Sequence, residues 1–126
     1  MGSYLRPTSL QAALAALAGG PRSVLAGGTD HFPARANLAP EEDILDITAL
    51  PGLRAIVAHD THWFIPCLAT WSDLIAAELP PECAMLQQAA AQVGGVQVQN
   101  MGTLVGNLCN ASPAADGIPC LLALDA

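Results

Sequence analysis

Two rhythms of apolar and polar residues follow one another along this chain. Leu10, Ala13, Leu14 and Leu17 recur at helical spacing, so they predict an amphipathic helix capped by Thr8 or Ser9 and ended by Gly19-Gly20. Residues 3–6 before it read as a short strand. The compact apolar run at 23–26 reads as a second, followed at once by Gly27-Gly28-Thr29-Asp30. A short helix is expected over residues 32–38, with Pro33 tolerated in its first turn. Residues 44–47 form the next strand candidate. Strands alternating with helices predict a small α/β layer over about 1–50.

Past Pro51-Gly52 the rhythm changes. Residues 55–58 and 63–65 flank His59-Asp60-Thr61-His62, as in a hairpin. Thr70 with Asp73 is a capping-box start for a helix carrying Trp71, Leu74 and Ile75 on one face. Pro80-Pro81 breaks it, and Pro81 with Glu82 opens the next helix. There Leu86, Ala89, Ala90 and Val93 repeat at helical spacing until Gly94-Gly95. Residues 96–113 show no period and read as a long polar connection. A last helix is expected over about 114–124, with Ile118, Leu121 and Leu122 inward. Trp63 and Trp71 read as hairpin and core residues.

Composition narrows the function. In 126 residues there are four arginines, no lysine and eleven acids, a net charge of −7. No basic patch can be assembled, which argues against nucleic acid or an anionic membrane as partner. Any phosphate must be held mostly by backbone N–H groups. Cys67, Cys83, Cys109 and Cys120 lie 16, 26 and 11 residues apart with no CxxC pair, so no metal site is expected within the chain. Reduced thiols and the absence of an apolar run long enough to span a bilayer suggest a cytoplasmic protein. Glu41-Glu42-Asp43 reads as a solvated acidic turn.

Two segments could carry chemistry. Leu25-Ala26-Gly27-Gly28-Thr29-Asp30 follows a strand directly. Paired glycines there let the backbone approach a ligand closely, and turn N–H groups suit a pyrophosphate. An ordinary tight turn is the alternative, and no GxGxxG fingerprint occurs. The second segment is Asn100-Met101-Gly102-Thr103-Leu104-Val105-Gly106-Asn107 followed by Ala111-Ser112-Pro113-Ala114-Ala115-Asp116. Its Asn, Thr and Asp side chains can bond hydroxyls and phosphate oxygens without adding positive charge.

Together "LAGGTD" and "NMGTLVGNLCNASPAAD" resemble the two flavin-contacting segments of the FAD-binding (medium) subunit of molybdenum hydroxylases, the family of xanthine dehydrogenase and aerobic carbon monoxide dehydrogenase. The resemblance implies an α+β fold of the non-Rossmann, vanillyl-alcohol-oxidase-like type, with FAD extended between two subdomains. Residues 1–50 would form the first and 51–126 an incomplete second, because the family continues beyond the position of Ala126. Residues 24–31 would wrap the pyrophosphate, with Leu25, Ala26, Gly27, Gly28, Thr29 and Asp30 as contacts. Gly102, Thr103, Gly106 and Asn107 would face them, Asp116 would accept from cofactor hydroxyls, and Val93 completes the implied cofactor-binding set. No catalytic acid or base is implied on the chain.

The implied function is electron relay from iron–sulfur clusters through FAD to an acceptor. Iron–sulfur and molybdenum-cofactor subunits would be the partners. The alternative is a truncated, non-catalytic remnant acting as an interaction module, prone to self-association. A flavin tethered covalently through His31, as in aldonolactone-oxidase-like enzymes, is a weaker third reading beside a plain polar contact at a helix start. Two departures from the family stand out. Gln99 replaces a frequent Arg or Lys, and Val105 replaces the first glycine of Gly-Gly-Asn. If position 105 requires φ > 0, a β-branched residue there costs about 1–2 kcal/mol, and Val105→Gly would strengthen flavin binding.

Overall fold

The computed structural model describes residues 2–37 and 41–126. Three short strands, β1 (Tyr4–Leu5), β2 (Ser23–Leu25) and β3 (Ile44–Asp46), form a parallel sheet in the order β1-β3-β2. Parallel pairing needs crossovers. Helix α1 (Leu10–Ala18) supplies the first, and the second contains the single turn α2 (His31–Ala34). Register pairs Tyr4 and Ser23 with Ile44, and Val24 with Leu45. The central position makes Leu45 fully buried, and Ala13 and Leu50 pack with it.

Ser9 caps α1, its hydroxyl accepting from the Ala12 N–H at 3.2 Å. The expected apolar stripe divides. Ala13 is buried, but Leu10, Leu14 and Leu17 are 56%, 58% and 40% exposed. Strands of two or three residues give too little depth for leucines beneath a helix, so α1 lies close on its alanine side. The expected helix over 32–38 begins one residue earlier and is one turn long; Leu38 lies outside the described residues.

A hairpin follows, β4 (Val57–Ala58) against β5 (Trp63–Phe64), with the His59 and His62 rings stacked at its tip. Then come α3 (Trp71–Ala76), a 3-10 turn (Pro81–Cys83) and α4 (Ala84–Gln92). The Thr70–Asp73 capping box forms as the sequence predicts. The α3 C-terminus is closed by Gln87, whose amide donates to the Leu74 and Ala77 carbonyls at 2.9 and 2.8 Å. Such carbonyls otherwise lack partners. Trp71, Leu74, Leu86, Ala90, Val93, Leu104 and Cys120 form a second core, while Ile75 is 40% exposed.

The largest correction concerns residues 96–113. They hold two helices, α5 (Val96–Met101) and α6 (Leu104–Asn110), joined by extended backbone at Gly102-Thr103. Helices below two turns carry almost no periodicity, so polar composition masked them. The last helix, α7 (Ile118–Ala123), starts later than expected. Pro119 has no N–H and is tolerated only in a first turn, which fixes the start at Ile118. That phase buries Cys120 and leaves Leu122 76% exposed.

Two buried or half-buried aspartates tie the loops down. Burial raises the Asp46 carboxyl, but bonds from the Thr48 hydroxyl (2.6 Å), the Tyr4 hydroxyl and the Thr48 N–H (2.8 Å), with Arg6 at 3.4 Å, hold it below the usual range. Asp73 is lowered chiefly by Arg54, against a burial penalty, with help from Thr70. Both release protons more readily folded than unfolded. Their stabilisation is therefore complete above the unfolded carboxyl pKa, about 3.9, and is lost as pH falls through the lower folded values. Thermal melts should show Tm falling below about pH 4. Asp46→Asn with Asp73→Asn should flatten that acid limb and cost about 1–3 kcal/mol per site at neutral pH.

Candidate functional site

An open cavity of about 820 Å³ runs between the sheet and the helices. Small-molecule sites span about 300–1,000 Å³. Its first wall is the end of β2, the turn at residues 26–30 and the start of α2. The facing wall is α6 with residues 112–116, and Val93, Val98 and Trp71 lie on the helical side. A smaller cavity of about 320 Å³ shares Ala26, Gly27 and Thr103 with it.

The glycine turn is shaped by close approach. A Cβ on Gly27 would sit inside the Met101 carbonyl, 2.9 Å from the Gly102 Cα. Gly28 has φ +71, and a Cβ there would lie 2.7 Å from the Phe32 ring. Among the described residues no hydrogen bond engages the N–H groups of Gly27, Gly28 or Thr29. Three free donors in successive residues on a cavity wall suit an anionic ligand.

On the facing wall Thr103 is buried, and its hydroxyl accepts from the Gly106 N–H at 2.9 Å, starting α6. Asn107 is anchored through its side-chain oxygen, which accepts from the Gly117 N–H at 3.1 Å. Its amide NH₂ makes no hydrogen bond among the described residues. Asp116 is exposed at the wall. Of the twelve residues expected from sequence, eleven border this cavity; Gly102 does not. Gly102 is buried behind it, where a Cβ would lie 3.1 Å from the Trp71 ring.

The structure decides the condition attached to Val105. It is the second residue of α6 and is not among the described residues with positive φ, so its position carries no left-handed strain. Thr103 caps the helix on which this position lies. Val105 itself borders the cavity.

Sequence reasoning also missed a charged rim. Glu42 accepts from the Ser23 hydroxyl at 2.5 Å, pairs with the Arg35 guanidinium and lies 3.2 Å from His31 Nε2. Ser23, His31 and Arg35 border the cavity, with Glu42 behind them. The Ser23 bond holds the Glu42 carboxyl low against a burial penalty, with Arg35 and His31 contributing. Asp43 likewise accepts from Ser3, through its N–H at 2.7 Å and its hydroxyl at 2.6 Å. The acidic turn is solvated as expected, with Glu41 and Asp43 exposed, and it also serves as a fastening. The four-residue spacing of His31 and Arg35 was the available signal, but the acidic partner lies across a crossover.

Two stability comparisons test this geometry. Gly27→Ala should destabilise by about 1–3 kcal/mol in denaturant melts, because backbone opposes its Cβ, and Gly28→Ala by about 1–2 kcal/mol, because its φ of +71 strains a side chain although the opposing Phe32 ring can move. Val105→Gly should lower stability by about 0.5–1 kcal/mol, as glycine does within a helix. A stabilised Val105→Gly variant would contradict the helical backbone described above.

Comparison with known proteins shows the family to which the chain belongs. The family described as FAD binding domain in molybdopterin dehydrogenase matches residues 1–126. The glyceraldehyde dehydrogenase medium chain of Sulfolobus acidocaldarius is 33% identical over 98% of this chain and 45% of its own length. The xanthine dehydrogenase FAD-binding subunit of Escherichia coli O157:H7 is 36% identical over 98% and 44%. In structure, a Cu,Mo-CO dehydrogenase in its cyanide-inactivated form superposes with a TM-score of 0.84 at 28% identity, covering 97% of this chain and 44% of that one. The carbon monoxide dehydrogenase of Hydrogenophaga pseudoflava gives 0.80 at 29%, over 92% and 42%. The chain thus spans less than half the length of these relatives. Its match to the family over residues 1–126 makes it a member of the FAD-binding domain family of molybdopterin dehydrogenases.

Proposed function

We propose that this chain holds FAD, extended, in the large cavity, with the pyrophosphate over the glycine turn. The observation that carries this is the convergence of ten expected residues from two distant segments, with Val93 beside them, on one cavity, with three unengaged N–H groups at the turn. In this reading Gly27, Gly28 and Thr29 donate to the pyrophosphate, and Arg35, held by Glu42, adds the one guanidinium on the wall. Asn107 and Asp116 bond the ligand's hydroxyls, and Val93, Val98 and Val105 exclude water from its apolar parts. The two walls belong to two subdomains of a non-Rossmann FAD fold, divided near residue 50. When bound, the flavin supplies the redox chemistry, and the chain supplies orientation and electrostatics.

The whole protein would then be the flavin subunit of a molybdenum hydroxylase. Its partners would be an iron–sulfur subunit that delivers electrons and a molybdenum-cofactor subunit where the organic substrate is oxidised. No helix among the described residues is long and apolar enough to cross a membrane.

Flavin released by denaturing the purified protein, assembled with its partner subunits, should amount to one FAD per chain. Gly28→Val should carry none while keeping its far-UV circular dichroism, because a β-branched residue at φ +71 distorts the turn. Wild-type protein without flavin would overturn the proposal. Full flavin content in Gly28→Val would show that the turn does not hold the cofactor.

A further inference from the structure

Trp71 combines two properties that rarely meet. It is 2% exposed, within the second core, yet it borders the large cavity. Its backbone N–H donates to the Gly102 carbonyl at 3.1 Å. Its indole N–H, a donor with no acceptor capacity, makes no hydrogen bond among the described residues. No side-chain nitrogen there is both fully occluded and unpartnered. The indole N–H therefore retains a small opening, and the space that Trp71 borders is the cavity. Buried Trp N–H groups usually find a partner.

The ring is also held in place. The capping box at Thr70 and the Thr70–Thr103 bridge fix the start of α3. Glycines clear both edges of the ring: a Cβ on Gly102 would come within 3.2 Å of Nε1, and one on Gly117 within 3.2 Å of the benzo edge. A donor so fixed loses little freedom when it meets an acceptor.

We propose that Trp71 is a positioning residue for the bound dinucleotide, its indole N–H donating to an oxygen or ring-nitrogen acceptor of FAD deep in the cavity. This rests on the FAD reading above and adds to it a side-chain donor from the helical core. The chain has two tryptophans, and Trp63 on β5, 38% exposed, does not border the cavity, so it serves as an internal control.

The test is FAD titration of the full chain with isotope-labelled indole nitrogens, followed by NMR, alongside the same titration of Trp71→Phe. Saturating FAD should move the Trp71 indole proton downfield and slow its exchange with water, leaving the Trp63 signal in place. Trp71→Phe removes the donor together with part of the ring's packing, so the wild-type indole signal identifies the donor; the variant's Kd for FAD should rise about five- to tenfold. If FAD binds but the Trp71 signal does not respond, or Trp71→Phe folds and binds as tightly as wild type, the proposal fails and the FAD reading stands. If wild type binds no FAD, both fall. Should Trp71→Phe not fold, the wild-type indole signal decides alone.

Discussion

The arrangement depends on one backbone contact. Gly27 lies against the carbonyl of Met101 so closely that no side chain fits between. There the sheet and the helices meet through main chain. Around that point Thr70 bridges to Thr103, and the Trp71 N–H reaches the Gly102 carbonyl. A close seam with walls that part above it makes a cleft, and the large and small cavities share Ala26, Gly27 and Thr103 as their common border. Interiors pack with few voids, so even a methyl group at Gly27 must push the two layers apart.

How much of this was legible in the sequence varied with the length of the signal. The capping box at Thr70 and Asp73 is encoded in four residues and formed as read. The three strands were found because compact apolar runs bounded by turn residues leave little else to form. The helices α5 and α6 stayed hidden because six or seven residues rich in Asn and Gln do not reveal a period. The α1 leucines misled because helical spacing identifies a stripe without saying how deep the surface beneath it is. The Val105 expectation rested on what related sequences place there, and the local cap at Thr103 gives the position a helical backbone instead.

At the site, the two long segments were visible because glycines and small polar residues cluster there for a reason that sequence records. The rim of His31, Arg35 and Glu42 was not, since its partners are joined only after β3 has paired beside β2. Gly102 was legible as important, yet its place is behind the wall, next to Trp71. Residues that hold a site and residues that line it look alike in one dimension.

The charge pattern has a kinetic side. With a net charge of −7 and no lysine, these 126 residues contribute a far field that repels a dinucleotide that is itself anionic. Encounter should therefore be slow in dilute buffer and faster with added salt, the reverse of an electrostatically steered association. Arg35 works only at short range, within the reach of its own ion pair. In the proposed complex, that guanidinium and the turn N–H groups would act on departure rather than arrival. A site so built would hold its ligand through slow release, and occupancy would be decided early in the protein's life rather than by continual exchange.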